Sequence, residues 1–346
     1  MSISLKQLSL LLGLSQTTVS RALNGYPEVS EATRNRVIEA AQRHAYMPNP
    51  RARSLATGRA MAVGHVLPIS GHSDMVNPIF ADFLAGAGAV YTRRGYGVHL
   101  SFAEPGHEAE HYRWLTRQRM VDAVVLHSPR EDDERARALA ELDLVYGVHG
   151  LLGSRRDGYN YVEMDNRAAL EQATRHLAKL GHARIAFLNG PAGLNFARLR
   201  EAGFLSVMEE HGLVPNRLWM LNDEMTEEYG YRAARRLCAQ PARPTAFLTG
   251  SMLVAIGVHR AVLEAGLSVP ADVSIVTHDD VLSFVPNGLP PRLTATRSPV
   301  REAGQLLADI VIDQIENPDR PPRGLVLQPE LVIGASTGPA AAEAPA

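Results

Sequence analysis

From Ala60 onward the chain alternates between short apolar runs and longer stretches with helical spacing, and that alternation leaves few folds open. Strand-like runs occupy 62–67, 121–126, 184–188, 245–248 and 273–276, with helical stretches at 79–94, 166–180, 198–211 and 255–265. Strands that are apolar on both faces and alternate with helices imply parallel sheets covered on both sides. About 280 residues suffice for two such doubly wound units with a cleft between them. No short-period repeat interrupts the pattern. The closing 338–346, rich in Ala and Pro, reads as a disordered tail.

The first sixty residues have another texture. Ser4 and Gln7 have capping-box spacing, Gly13 marks a turn, and Ser15 can cap a second helix. In that helix Val19, Ala22 and Leu23 share an apolar face. Gln16, Thr17, Ser20 and Arg21 share the opposite one, near its N-terminal end. A helix that enters a major groove needs this division, apolar backing behind short polar groups and an arginine aimed at base edges and phosphates. An ordinary amphipathic helical hairpin is the competing reading. A third helix runs from Ser30 to about His44, with Val37, Ile38 and Ala41 inward and Tyr46 closing a small core. The segment 48–58, bounded by Pro48, Pro50 and Gly58, reads as a hinge whose short helix orders only against a partner or DNA.

Charge divides the chain the same way. Residues 1–59 hold eight Lys/Arg against three acids, a net +5, which leaves −7 for the remainder of a chain whose net charge is −2. A basic head on an acidic body suits one phosphate-facing module attached to something that avoids nucleic acid. Cys238 is the only cysteine, so neither an intramolecular disulfide nor a cysteine-rich zinc site can form, and it reads as a small core residue on a helix. No apolar stretch reaches membrane-spanning length, and the opening residues form a capped amphipathic helix rather than an export signal. The expectation is a cytoplasmic protein with no membrane partner. There is no Gly-rich phosphate loop, no Gly-x-Ser-x-Gly elbow and no metal-ligand spacing, so no enzyme activity, cofactor or metal is expected. A transport receptor with the same two-lobed body is disfavoured by the basic head.

The chain resembles the LacI/GalR family of bacterial transcription regulators over essentially its whole length. Residues 15–25 resemble the family's recognition helix, 29–34 the start of its third helix, and 52–56 its hinge helix. Asn77-Pro78-Ile79-Phe80, Asp165-Asn166, 180–186, 200–204, 273–276 with Asp279-Asp280, and Leu293-Thr294 continue the pattern in order. The resemblance implies a fold of class α plus α/β: a three-helix helix-turn-helix headpiece and a two-lobed, periplasmic-binding-protein-like, doubly wound α/β effector domain. It places the headpiece at 1–47, the hinge at 48–60 and the effector and dimerisation domain at 61–337. The near lobe would take 61–163 and 293–325, the far lobe 164–290 and 326–337.

By position in the family pattern, Gln16, Thr17 and Arg21 would read bases, and Ser4, Thr18, Asn24 and Thr33 would touch the DNA backbone. Leu55, with Ala52, would enter the minor groove from the hinge. Effector contacts would come from Phe80, His127, Phe196, Arg200, Met225, Ser251 and Asp279. An arginine and an aspartate facing one cleft suit a polyol, whose neighbouring hydroxyls both accept and donate. The partners implied are palindromic operator DNA, a small sugar and a second copy of the chain. No leucine-heptad tail follows residue 334, which favours a dimer over a tetramer. The chain departs from the family at Ser251-Met252, where many relatives carry Asn-Asp, at Thr277-His278, and at Leu151, where arginine is common. The closing 334–340 and the strand around His149-Gly150 are similar to regulators of α-glucoside utilisation. The family holds members that sugars release from DNA as well as corepressor-type and activating ones, and both signs stay open.

Overall fold

A computed structural model describes residues 3–23, 25–46, 58–68, 78–279, 281–282, 285–286 and 292–340. The chain forms two compact units, 1–60 and 61–346.

In the first unit, helices α1 (Leu5–Leu12), α2 (Gln16–Leu23) and α3 (Glu31–Arg43) start where the caps predict. Ser4 and Gln7 form the reciprocal capping box, and Gly13 supplies the left-handed residue that ends α1. The Ser15 hydroxyl accepts from the Thr18 amide at 3.0 Å and that of Ser30 from the Thr33 amide at 3.4 Å. Leu8, Val19, Ala22, Val29, Val37 and Ala41 form the core, with Leu23 and Tyr46 against it. Ile38 points outward, contrary to expectation. Three short helices leave room for one stripe per helix, and on α3 the stripe runs through Val37 and Ala41. Arginines tie the connections together: Arg34 donates to the Tyr26 carbonyl at 2.9 Å and Arg36 to that of Leu12 at 2.6 Å.

The second unit contains two six-stranded sheets. The first, in the order β13-β5-β4-β3-β1-β2, is parallel throughout. It comprises β1 (Ala62–Pro68), β2 (Gly97–Ala103), β3 (Ala123–His127), β4 (Val145–His149), β5 (Asn160–Met164) and β13 (Gly324–Leu327). Helices α4 (Pro78–Arg94), α5 (Glu108–Arg117), α6 (Glu134–Ala140) and α11 (Val300–Glu316) belong with it. The second sheet runs β14-β12-β9-β8-β6-β7 and is parallel except for the β12–β14 pair. Its strands are β6 (Ile185–Asn189), β7 (Met220–Asn222), β8 (Ala246–Thr249), β9 (Ser274–His278), β12 (Thr294–Arg297) and β14 (Glu330–Val332). Its helices are α7 (Asn166–Lys179), α8 (Asn195–Glu210), α9 (Glu227–Cys238) and α10 (Met252–Glu264). Two short strands, β10 (Val281–Leu282) and β11 (Val285–Pro286), form a separate antiparallel pair.

Two expectations about chain layout need correction. The family resemblance returns the chain to the first lobe at 293, but β12 pairs with β9 in the second sheet and Leu293 sits in that lobe's core. The return comes with α11, which packs on α4. Glycines let these helices touch: a Cβ at Gly86 would overlap the Arg301 carbonyl, and one at Gly304 the Phe83 carbonyl. Residues 338–340, assigned to a disordered tail, are instead bound to the second lobe. The Gly338 amide donates to Ser274 Oγ at 3.1 Å and the Ala340 amide to the Leu180 carbonyl at 2.8 Å. Residues 341–346 of that tail lie outside the described residues.

Candidate functional site

On the headpiece, Gln16, Thr17 and Arg21 are exposed on one face of α2 while Val19 and Ala22 hold the other face in the core. Among the described residues no hydrogen bond or ion pair engages these three side chains, so their donors and acceptors face water. Thr17, Thr18, Arg21, Ser30 and Thr33 line one open depression between α2 and the start of α3. The Thr33 hydroxyl accepts from Ser30 Oγ at 2.9 Å and keeps its own proton for another acceptor. Thr18 Oγ1 lies 2.8 Å from Ser15 Oγ. Ser4 differs: its hydroxyl and its amide both donate to Gln7 Oε1, at 3.0 and 2.8 Å. It has no proton left to offer a phosphate, so its part is to start the helix. Asn24, Ala52 and Leu55 lie outside the described residues.

In the body, Arg200 is the centre of the constellation. It projects from the second turn of α8 and is buried to 5% exposure. Its Nε donates to Asn166 Oδ1 at 2.6 Å and its Nη1 to the Gly250 carbonyl at 2.9 Å. The guanidinium lies 4.7 Å over the Phe196 ring, and Met225 Sδ is 3.8 Å from Nη1. Nη2 stands 4.0 Å from Asp279 Oδ2, beyond hydrogen-bond reach. Burial lowers the Arg200 pKa to about 10 against the pull of Asp279 and Glu163, so the side chain stays charged near neutrality. Asp279 follows β9 in a left-handed conformation, φ 59°. Its Oδ1 lies 3.3 Å from His278 Nε2, while His278 Nδ1 is 2.9 Å from Thr296 Oγ1. Burial holds His278 well below its ordinary pKa, with Arg200 adding to the effect, so that ring is neutral. Phe196, Arg200, Met225 and Asp279, which the family resemblance groups together, thus lie side by side.

Two predicted contacts sit differently. The Ser251 hydroxyl accepts from the Val254 amide and caps α10. His127 is buried with both nitrogens engaged: Nε2 is 2.9 Å from His65 Nδ1, and Nδ1 is 3.5 Å from His149 Nδ1. Phe80 meets the His127 ring edge-on at 5.1 Å, so it belongs to this first-lobe wall.

Sequence reasoning missed two residues. Glu163, at the end of β5, is 3% exposed and accepts from Asn166 Nδ2 at 2.9 Å. Burial drives its pKa up to about 7 in spite of Asn166 and Arg200. A charged residue closing an apolar strand just before Asp165-Asn166 was the available signal. Asn195 starts α8, and its amide donates to the Pro129 carbonyl at 2.9 Å while its side chain donates to Leu151 and Gly153. These bonds join the lobes at the C-terminal ends of β3 and β4, where open parallel sheets bind their ligands.

Comparison with known proteins fixes the family. Residues 4–49 match the model for bacterial regulatory proteins of the lacI family, and residues 174–337 a periplasmic binding protein-like domain. The HTH-type transcriptional regulator AglR of Rhizobium meliloti (strain 1021) is 42% identical over all of this chain and 97% of its own. The chain belongs to the lacI family. CelR of Thermobifida fusca, another regulator, shares 30% identity over 95% of this LacI-family chain and 97% of its own length. A solved CelR–cellobiose complex superimposes with a TM-score of 0.73 at 28% identity, covering 96% and 99% of the two chains. The lac repressor dimer bound to operator and an anti-inducer shares the fold, with a TM-score of 0.78 at 24% identity over 98% and 100%. This LacI-family chain is therefore a transcriptional regulator and not an enzyme. No helix among its described residues is long and apolar enough to cross a membrane.

Proposed function

We propose that this regulator binds a palindromic operator as a homodimer and is released from it by a small sugar held between the lobes of its body. Gln16, Thr17 and Arg21 would read bases, since they are the exposed polar groups of a helix whose other face is anchored. Thr18 and Thr33 fit phosphate contacts. Asn24, Ala52 and Leu55 keep the backbone and hinge roles that the family pattern implies. Its place of action would be the cytoplasm, where operator DNA lies.

The observation that carries the effector half is the pairing of Arg200 Nη2 with Asp279, 4.0 Å apart and both buried. Two N–H groups beside a carboxylate match two neighbouring hydroxyls, one accepting and one donating. Phe196 and Met225 supply apolar surface for a sugar ring. The likeness to AglR and to a CelR–cellobiose complex supports a glucoside, and the sequence features around 149–150 and 334–340 lean toward an α-glucoside. Sugar binding and DNA binding would then weaken each other by the same factor.

A gel-shift titration on a palindromic upstream site, with maltose, trehalose, sucrose and cellobiose added in turn, tests this. One sugar should release the wild-type protein. Arg200→Lys keeps the charge but loses the fork, so it should bind DNA and ignore that sugar. The absence of a specific shift, or a variant as responsive as the wild type, overturns the reading.

A further inference from the structure

Three histidines stand on neighbouring strands of the first sheet. His127 of β3 is in direct register with His149 of β4, and His65 of β1 pairs with Val125, two residues before His127. A two-residue step keeps side chains on one face, so the rings form a row across β1, β3 and β4. The contacts run in series. Tyr91 Oη is 3.1 Å from His65 Nε2, His65 Nδ1 is 2.9 Å from His127 Nε2, and His127 Nδ1 is 3.5 Å from His149 Nδ1. Phe83 stacks on His149 at 4.3 Å and meets His127 edge-on at 5.0 Å, holding both rings in place. His149 alone among the three residues is half-buried rather than buried, and no hydrogen bond among the described residues takes its Nε2. Next to it Gly150 borders Glu163 and Pro129, and the Leu151 carbonyl accepts from Asn195.

Burial holds all three imidazoles neutral, His65 at about 3, His149 at about 4 and His127 also far below 6.5. A neutral imidazole has one N–H and one bare nitrogen, so the row has two polarities. If Tyr91 donates to His65 Nε2, then His65 Nδ1–H donates to His127 Nε2 and His127 Nδ1–H donates toward His149 Nδ1. His149 must then carry its proton on Nε2. In the reverse polarity His65 donates to Tyr91, and the phenolic proton is left without an acceptor. Tyr91 is 1% exposed and His65 is its one hydrogen-bond partner among the described residues. Stranding a buried hydroxyl proton is unfavourable, and that sets the direction.

We infer that the row Tyr91–His65–His127–His149 is a tautomer lock that makes the first-lobe wall of the cleft present an N–H donor, the Nε2–H of His149, to an oxygen of the effector. Tyr91, His65 and His127 are positioning residues that act through His149. The lock complements the second lobe, where Arg200 donates and Asp279 accepts. The inference rests on the cleft being the effector site, but the tautomers can be read with no sugar or DNA present, so the two readings fail separately.

The test is a long-range proton–nitrogen correlation spectrum of the full-length protein labelled with nitrogen-15 histidine, in which protonated and bare ring nitrogens resonate far apart. Signals are assigned by their loss in His65→Gln, His127→Gln and His149→Gln. His65 and His127 should be protonated at Nδ1, against the usual preference of histidine for Nε2, and His149 at Nε2. In Tyr91→Phe the first donor is gone, and His65 and His127 should move toward Nε2–H. Wild-type His65 and His127 found with Nε2–H overturn the inference even if that variant does not fold. An unchanged tautomer pattern in a folded Tyr91→Phe protein overturns it as well.

Discussion

Glu163 gives the sharpest quantitative test, because it is a buried acid whose folding linkage follows from its surroundings. Its carboxyl lies at the end of β5, hydrogen-bonded to Asn166 and near Arg200, yet burial raises its pKa from 4.5 to about 7. A carboxyl whose pKa rises on folding holds its proton more tightly in the folded chain. Its contribution to stability is therefore fully present below pH 4.5 and is lost as pH climbs through 7. Those two values give a penalty of roughly 1 kcal/mol at pH 5 and roughly 3 kcal/mol at pH 8. Glu163→Gln keeps the oxygen that accepts from Asn166 and removes the titration. The variant should gain on the wild type by about 2 kcal/mol between pH 5 and pH 8. In thermal unfolding of the full-length protein that is a divergence of about 3–4 °C in midpoint, from the unfolding entropy of a body the size of 61–346. Parallel midpoints across this range would refute the claim that burial, rather than the attraction of Arg200, governs this carboxyl.

Three further substitutions separate the proposed roles. Arg21→Ala should weaken operator binding about 10–100-fold and relax the preference at one base pair, whereas Thr33→Ala should weaken all sequences alike. Competition gel shifts with operators substituted at single positions distinguish them, and equal loss on every sequence from Arg21→Ala would remove it from base reading. Asn195→Ala removes the donors to the Leu151 and Gly153 carbonyls and should loosen the lobe junction by about 1–3 kcal/mol. Hydrogen exchange at the Asn195 backbone amide, which donates to Pro129, should accelerate about 5–150-fold. An unchanged rate means the lobes are joined elsewhere.

What could be read without the structure was whatever a single element carries. Ser4 with Gln7, Ser15 and Ser30 announce helix starts within a few residues, and each cap forms as read. The polar face of α2 needs only a helical period to be seen. That Arg200, Phe196, Met225 and Asp279 lie together follows from the family pattern, which supplies the adjacency that spacing alone cannot. Local signals failed where neighbours decide. Ile38 lies on the edge of an apolar arc, and packing of three helices chose Val37 and Ala41 instead. Leu293-Thr294 looked like a return to the first lobe because nothing local says which sheet a strand will join.

The groups that the sequence left unseen or without their partners share one property: several separate segments are needed to make each of them. Glu163 is an ordinary surface-type residue until β5, Asn166 and α8 close over it, and that burial sets its charge. His127, read as a lone cleft histidine, acquires a direction only from His65, sixty-two residues earlier, and from His149, twenty-two residues later. The strand order β4-β3-β1 makes those three neighbours, and a parallel register brings their side chains to one face. If the row had been inserted merely to fill space, apolar side chains would have filled it without leaving donors and acceptors to match. Each nitrogen inside the row is matched, and the end that is not lies on His149, the last residue of β4. The polarity of that last N–H is therefore what the buried groups determine, and ligand selection is where it would act.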